Sequence, residues 1–226
     1  MNRFQRVDYV GEGLHEADVL ASPLLQVRAW LDDAIALAAT RPDVPEPTAL
    51  SVATVDAHGA PNVRTVLMRF FDERGPGFVT NLESTKSVEL RADPRVAASL
   101  GWPALYRAIR FRGTAQPLSR EEVTAYFSDR PYGSRLSAWA SEQSQPASGR
   151  AELEARWRTA LDRFPDRGGP DDVPVPDFWG GWRISCDEVE LWAGRANRLH
   201  DRIVFTRRAP GDLGAADAWT LSRRQP

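Results

Sequence analysis

The densest group of residues that could do chemistry lies near the carboxyl end of the chain, in the segment Trp-Ala-Gly-Arg-Ala-Asn-Arg-Leu-His-Asp-Arg that runs from Trp192 to Arg202. If this segment is extended, Arg198, His200 and Arg202 point to the same side, because side chains alternate along a strand. Three potential cations on one face repel one another unless an anionic or electron-rich ligand offsets them. The pattern therefore indicates a binding site. A structural alternative is that Asp201 pairs with neighbouring arginines.

A second group combines cations and hydroxyls at strand and helix ends. Arg64 and Arg69 lie in one predicted strand, Thr80 ends the next, and Ser84 and Lys86 stand at a predicted helix start. Such a set could hold a phosphate through charge-assisted hydrogen bonds and free N–H groups. Arginines that merely solvate an exposed sheet face are the alternative. Strand alternation also places Arg64 and Arg69 on opposite faces, so that one ligand could use both only through a bulge, a chain end or a second subunit.

A third group contains Tyr126, Arg130 and Ser134 at steps of four residues. A helix would align the three side chains, but Pro131 breaks that register. A loop that wraps around an anion is one interpretation. The other is a plain helix end, with Arg130 near the carbonyl end of the helix dipole.

Composition limits the possible functions. The chain has 226 residues, with 29 Lys and Arg against 31 Asp and Glu, and this balance disfavours a nucleic-acid-binding protein. Cys186 is the single cysteine, and no cluster has the spacing of a metal site. No apolar stretch approaches the roughly 20 residues of a membrane span, and the amino terminus lacks a signal core. We therefore expect a reduced, cytoplasmic, metal-free protein without nucleic-acid or membrane partners.

Periodicity and turn signals predict the elements that position these groups. Helices are predicted over about 23–40, 84–92, 120–128 and 149–164, with Ser22 and Ser119 as N-caps. Strands are predicted over about 49–55, 62–71, 77–80, 95–101, 107–115, 181–185, 188–193 and 202–207, with one more near Trp219. This order predicts one mainly β domain over 1–226, with 1–21 as an amino-terminal arm. It favours a closed or half-closed antiparallel β-barrel with peripheral helices, although a sandwich has the same order.

These motifs, taken in order, resemble the pyridoxamine 5′-phosphate oxidase family. The resemblance extends from Tyr9 to Pro226. Besides the second and third groups above, it rests on four motifs: Trp-Ala-Ser-Glu-Gln-Ser over 139–144, Phe-Trp-Gly-Gly-Trp-Arg over 178–183, Glu-Leu-Trp over 190–192 and Arg-Leu-His-Asp-Arg over 198–202. The last is the most specific. The resemblance implies an FMN-binding split β-barrel that is homodimeric, with two FMN sites at the subunit interface.

The resemblance also implies which residues bind FMN. Arg64 and Lys86 would hold its phosphate, while Gln143 and Ser144 would approach from the partner subunit. A site shared between two subunits would also let Arg64 and Arg69 serve one site, because the two chains can present different strand faces to it. The full cofactor-binding set is Arg64, Thr65, Val66, Leu67, Met68, Arg69, Val79, Thr80, Thr85, Lys86, Gln143, Ser144, Trp192 and Arg202.

By the same resemblance, the substrate is a phosphorylated pyridine, and Arg198 and His200 are the catalytic residues over the flavin. The substrate-binding set is Arg6, Tyr9, Arg69, Tyr126, Arg130, Ser134, Arg198 and His200. The implied reaction is hydride transfer from the C4′ carbon of the substrate to flavin N5, followed by reoxidation by O2 to give H2O2. Arg202 would stabilise negative charge on the flavin.

Three positions depart from the family pattern. Arg69 stands where the family usually has Lys, Thr85 replaces a common Arg, and Ala108 replaces a Gln that contacts the flavin. Together they predict weaker retention of FMN or an altered substrate. The leading hypothesis is an oxidase of pyridoxine and pyridoxamine 5′-phosphate. The alternatives are a related flavin oxidase of secondary metabolism, of the phenazine-precursor type, and an idle carrier of FMN or pyridoxal phosphate.

Overall fold

The computed structural model describes residues 8–226, and most of them belong to one antiparallel sheet and the helices around it. The nine strands are β1 Ala49–Val55, β2 Pro61–Leu67, β3 Phe70–Asp72, β4 Gly75–Asn81, β5 Arg95–Trp102, β6 Arg107–Pro117, β7 Trp179–Ala193, β8 Asp201–Arg207 and β9 Trp219–Arg223. The five α-helices are α1 Pro23–Ala38, α2 Thr85–Ala92, α3 Arg120–Ser128, α4 Tyr132–Ala140 and α5 Arg150–Arg163. The strands follow the order β2-β1-β5-β6-β7-β4-β3, with β8 and β9 added beside β7.

The long strand β7 is the centre of this sheet. It pairs with β6 along one side, while on its other side its first half pairs with β4 and its second half with β8. The prediction of two separate strands over 181–185 and 188–193 is therefore wrong. A β-bulge opposite Arg112 and Gly113 leaves Asp187 out of register, and this polar interruption looked like a strand end in the sequence.

The core lies on the inner face of the strands. Alternate residues of β1 are buried, as the sequence pattern predicts, and Leu50 and Val52 have no exposed surface. Helix α1 packs against this core through Val27 and Trp30. The predicted caps are confirmed: the Ser22 hydroxyl accepts from the Leu25 N–H, and Ser119 forms a capping box with Glu122.

Helix α4 is an element that the sequence analysis missed. Pro131 was expected to break the helical register, in either a loop or a plain helix end, but it is the N-cap residue of a further helix, α4. A proline at a helix start loses no hydrogen bond, so it ends one helix and begins the next. Helices α3, α4 and α5 share a small second core around Phe127 and Leu136. As a result, the loop after α4 lies next to the start of α2.

The strand predicted over 62–71 is broken in the structure. The Met68 N–H donates to the Thr48 carbonyl at 2.9 Å, whereas the Arg69 N–H donates to the Gly77 carbonyl at 2.8 Å. The backbone thus leaves the ladder with β1 and joins the ladder with β4 between these two residues. The break ends the alternation of side chains on which the argument about opposite faces depended.

Within residues 8–226, every helix is too short or too polar to cross a membrane.

Candidate active site

A cavity of about 610 Å³ lies between β2, β4, α2 and the loop after α4. This volume falls within the range of roughly 300–1,000 Å³ that small-molecule sites usually have. The lining residues include thirteen positions that were predicted from the sequence: Arg64, Thr65, Val66, Leu67, Arg69, Val79, Thr80, Thr85, Lys86, Tyr126, Arg130, Gln143 and Ser144. One cavity in a single chain therefore contains residues of both the second and the third group of the sequence analysis, which lie far apart along the chain.

Lys86 marks one end of this cavity. Its side chain is buried at the start of α2, and it is the only lysine in the chain. The Nζ atom donates to Thr80 Oγ1 at 3.1 Å, Ser84 Oγ at 3.2 Å and Gln143 Oε1 at 3.1 Å, all neutral acceptors. Burial, followed by the nearby charge of Arg64, lowers the pKa of Lys86 to about 8. A desolvated ammonium that has only neutral acceptors is suited to an anionic ligand.

Arg64 is held beside Lys86 by a carboxylate. Its Nη2 atom donates to Glu89 Oε2 at 2.9 Å, and its Nη1 atom donates to the Thr54 hydroxyl. Burial acts to raise the pKa of Glu89, but hydrogen bonds from Asn62, Thr54 and Arg64 keep it below its ordinary value. Glu89 is thus an anion that neutralises Arg64. The charge of Lys86 is left for a ligand.

The loop after α4 completes this end of the cavity. Gln143 Oε1 accepts from Thr80 Oγ1 at 2.8 Å as well as from Lys86, and Ser144 Oγ accepts from the Thr85 N–H at 3.2 Å. Gln143 and Ser144 were expected to reach the site from a partner subunit. The structure instead places them beside Lys86 of their own chain, because helix α4 carries the loop there.

The other end of the cavity contains Arg69, Tyr126 and Arg130. The strand break after Met68 brings Arg69 to the same cavity as Arg64, so a second subunit is not required to bring these two arginines together. The Arg130 guanidinium lies over the Trp179 ring, with Cζ at 4.5 Å from the ring centroid. Burial, with a further contribution from Arg69, lowers the pKa of Arg130. This end is therefore a second cationic group.

Two predicted residues near this cavity do not line it. Met68 is buried in the main core, and Ser134 lies in the first turn of α4, where its N–H donates to the Pro131 carbonyl at 2.8 Å. Arg6 lies outside the described residues.

The remaining predicted residues form a separate cluster. The His200 ring lies 4.9 Å from the Trp192 ring and 5.3 Å from the Tyr9 ring. Arg202 donates to both carboxylate oxygens of Glu190, from Nε to Oε1 and from Nη2 to Oε2, each at 3.0 Å. Arg198 is exposed nearby. None of these residues lines the cavity of Lys86 and Arg130.

The backbone of this cluster differs from the prediction. The argument for a shared face required residues 198–202 to be extended, but Ala196–Arg198 is a short turn in which Asn197 and Arg198 have φ angles of 56° and 62°. Asp201 pairs with Arg195 and Arg223, as the structural alternative proposed. Arg198, His200 and Arg202 therefore do not share a strand face.

Trp179 and Glu89 are two site residues that the sequence analysis did not assign. Trp179 lines the cavity and was noted only as part of the Phe-Trp-Gly-Gly motif. Glu89 looked like an ordinary polar helix residue. What distinguishes Glu89 is its burial, since only 6% of its surface is exposed. This burial arises from the packing of α2 against β1 and β2, which the sequence does not show.

Comparison with known proteins identifies the family. The family model described as pyridoxamine 5′-phosphate oxidase matches residues 37–162, and the model described as the pyridoxine 5′-phosphate oxidase C-terminal dimerisation region matches residues 179–226. The pyridoxine/pyridoxamine 5′-phosphate oxidase of Kineococcus radiotolerans is 44% identical, over 98% of this chain and 97% of the relative. The protein of the same name from Burkholderia multivorans is 42% identical, over 98% and 97%.

Solved structures agree on the fold. PhzG from Burkholderia lata 383, in complex with tetrahydrophenazine-1-carboxylic acid, superposes with a TM-score of 0.81 at 27% identity, over 96% of this chain and 99% of that chain. An FMN-binding protein from Nostoc punctiforme, related to pyridoxamine 5′-phosphate oxidase, has a TM-score of 0.67 at 17% identity, over 88% and 97%. The split β-barrel predicted from the sequence is confirmed. The chain belongs to the pyridoxamine 5′-phosphate oxidase family.

Proposed function

We propose that this protein is an FMN-dependent oxidase that converts pyridoxine and pyridoxamine 5′-phosphate to pyridoxal 5′-phosphate, with O2 reduced to H2O2 and, for the amine, with water consumed and ammonia released. The observation that carries this proposal is one cavity with a cationic group at each end, Lys86 with Arg64 and Arg69 with Arg130. A reaction between a phosphorylated cofactor and a phosphorylated substrate needs two such anion sites. Relatives that are 44% and 42% identical and carry this name support the proposal.

The residues around Lys86 fit the phosphate of FMN. Lys86 and Arg64 would donate to its oxygens, while the Thr80 hydroxyl in β4 and the Thr85 N–H at the start of α2 would supply further donors. The chemistry that bound FMN supplies is acceptance of a hydride from the substrate and its delivery to O2. Thr85 is exposed and uncharged where the family usually has Arg, so this chain depends more heavily on Lys86.

The other residues would bind and orient the substrate. Arg69, Tyr126 and Arg130 would hold its phosphate at the far end of the cavity. His200 Nδ1 accepts from the Arg195 N–H at 3.1 Å, so Nε2 is the ring nitrogen that can carry or exchange a proton. Arg198 would position the substrate from the same turn.

A homodimer is part of this proposal. The cluster of Trp192, His200 and Arg202 lies apart from the cavity in one chain, and it falls within the region 179–226 that matches the dimerisation model. A second copy that supplied this cluster to the cavity would complete the site. The active sites would then lie at the subunit interface.

The direct test is an assay of purified protein supplied with FMN in air. Pyridoxine 5′-phosphate is added, and pyridoxal 5′-phosphate and peroxide are followed together. We expect both products in equal amounts over many turnovers. A flavin-loaded protein that forms neither product would contradict the proposed function.

A second candidate is a flavin oxidase of secondary metabolism, which the structural similarity to PhzG and the departures at Thr85 and Ala108 favour. Replacement of Arg130 by alanine distinguishes the two. For a phosphorylated substrate we expect kcat/KM to fall by about 10–100-fold, because a charge-assisted hydrogen bond to a buried group contributes about 1.5–3 kcal/mol. A substrate without phosphate would be turned over by Arg130→Ala at nearly the wild-type rate.

The pKa of Lys86 makes FMN binding depend on pH. Because Lys86 has a pKa of about 8 without FMN, binding of a phosphate to its ammonium form above that pH requires uptake of a proton. We therefore expect FMN affinity to fall above pH 8, by up to about tenfold per pH unit, until the pKa of the complex is reached. The phosphate itself adds no slope there, since its second pKa is about 6.

This titration can be observed directly, because labelling with ¹⁵N-lysine gives one side-chain signal from the only lysine. We expect its midpoint near pH 8 without FMN and a higher midpoint with FMN. In Lys86→Arg the loss of affinity above pH 8 should disappear. A midpoint near the ordinary lysine value in the ligand-free protein would contradict the expectation.

A further inference from the structure

We propose that Trp179 is a positioning residue, which holds the Arg130 guanidinium in place to bind the anionic phosphate of the substrate. The inference rests on the proposed function, and it adds a residue to which the family resemblance assigned no role. It begins from the geometry of the two side chains. Arg130 Cζ lies 4.5 Å from the centroid of the Trp179 ring and 5.6 Å from that of Phe127. The two rings meet edge to face at 6.0 Å.

Arg130 is a cation that the protein itself leaves unneutralised. Between residues 8 and 226, no carboxylate lies within 4 Å of its guanidinium. Its Nη1 atom is buried and has no hydrogen-bond partner in that part of the chain. The nearest compensation is the electron-rich face of Trp179, which attracts a guanidinium electrostatically. The ring therefore takes the place that a carboxylate takes for Arg64, and it does so without neutralising the charge.

Trp179 has a buried, unpartnered donor of its own. Trp179 lines the cavity, and its indole Nε1 atom has no hydrogen-bond partner among the described residues. Leaving buried N–H groups unpaired costs free energy, and such groups are rare. Two of them in adjacent residues of one cavity indicate a ligand with oxygen acceptors, which matches a phosphate monoester.

The backbone fixes the ring in position. Trp179 is the first residue of β7, its N–H donates to the Pro176 carbonyl at 3.0 Å, and its carbonyl accepts from Arg120 Nη1 at 3.1 Å. The next residue, Gly180, packs so closely on Leu82 that a Cβ there would lie 2.6 Å from its side chain. The ring thus stands on a fixed strand, whereas Arg130 follows the end of α3 on a long side chain. Contact with the fixed ring restricts the Arg130 side chain before the substrate binds. Arg130 therefore loses less conformational entropy on binding.

The test compares Trp179→Leu, which removes the ring, with Trp179→Phe, which keeps an aromatic face. In the FMN-loaded protein we expect Trp179→Leu to raise the KM for pyridoxine 5′-phosphate by about tenfold. Its kcat should stay within about threefold of the wild type, since the ring does not touch the reacting atoms. Trp179→Phe keeps the aromatic face but lacks the indole N–H, so we expect its KM to rise less than that of Trp179→Leu. A Phe variant as impaired as the Leu variant would overturn the positioning role.

A double-mutant cycle separates positioning from a general structural role. If Trp179 acts mainly through Arg130, the effect of Trp179→Leu on KM should be much smaller in an Arg130→Ala background than in the wild type. Equal effects in both backgrounds would overturn the inference. FMN retention should remain that of the wild type in every variant, because Lys86 and Arg64 lie at the other end of the cavity. Loss of FMN from Trp179→Leu would contradict the assignment to the substrate end.

Equilibrium binding distinguishes failure of this inference from failure of the proposed function. Pyridoxal 5′-phosphate and inorganic phosphate are titrated against wild type and Trp179→Leu, without turnover. Weaker binding to the variant supports the role of Trp179 even if the wild type oxidises no B6 substrate. Normal turnover by the wild type, with no change in KM or binding in Trp179→Leu, would overturn the inference alone. A wild type that binds neither phosphate compound would overturn both.

Discussion

Replacement of Arg198 by alanine is expected to lower kcat by roughly 10²–10³-fold, the usual range for loss of a group that orients substrate and assists proton movement. FMN should stay bound. Arg198 is exposed, and within residues 8–226 it has no side-chain hydrogen bond or ion pair. Its removal therefore leaves the fold intact, so that a loss of activity would report on chemistry.

The backbone supports this expectation. Asn197 and Arg198 both have left-handed φ angles, 56° and 62°, which cost roughly 1 kcal/mol or more for residues other than glycine. The surrounding contacts maintain this strain: His200 accepts from the Arg195 N–H, and Asp201 pairs with Arg195 and Arg223. Strained turns that are held by their surroundings are frequent at functional sites.

Steady-state kinetics with pyridoxine 5′-phosphate and the flavin content after gel filtration would measure this effect. Arg158 on α5 offers a matched control, since it is also an exposed arginine and lies far from the turn in the sequence. We expect Arg158→Ala to behave as the wild type. Unchanged turnover in Arg198→Ala would contradict its placement over the flavin.

Replacement of Lys86 by alanine is expected to weaken FMN binding by about 10–100-fold, because a hydrogen bond from a charged donor contributes about 1.5–3 kcal/mol. The variant should then be purified largely without flavin. Among residues 8–226, Lys86 is the one cation at this end that forms no ion pair with a carboxylate, since Glu89 pairs with Arg64. The absence of an arginine at position 85 leaves no nearby replacement for the lost charge.

Flavin absorbance after gel filtration and titration of apoprotein with FMN would measure the loss. Lys86→Met keeps the length of the side chain without its charge, and we expect it to lose FMN as Lys86→Ala does. Arg91→Ala, on the exposed side of the same helix, should retain FMN. Retention of FMN by both Lys86 variants would exclude the phosphate assignment.

Sequence alone determined those features that depend on local pattern. Alternation along β1 predicted its buried face, and Ser119 with Glu122 predicted the start of α3, because neighbouring residues along the chain decide both. The Arg-Leu-His-Asp-Arg motif over 198–202 indicated the family, and the comparisons confirmed it. The roles of Arg198 and His200 over the flavin remain predictions.

Only the tertiary structure decided which residues share the cavity. Pro131 ends one helix and starts another, and the resulting α4 brings Gln143 within 3.1 Å of Lys86, 57 residues away in sequence. The strand break after Met68 brings Arg69 to the same cavity as Arg64. Trp179 reaches Arg130 because β7 begins beside α3. Such contacts depend on how distant elements pack, and a local period carries no information about that packing.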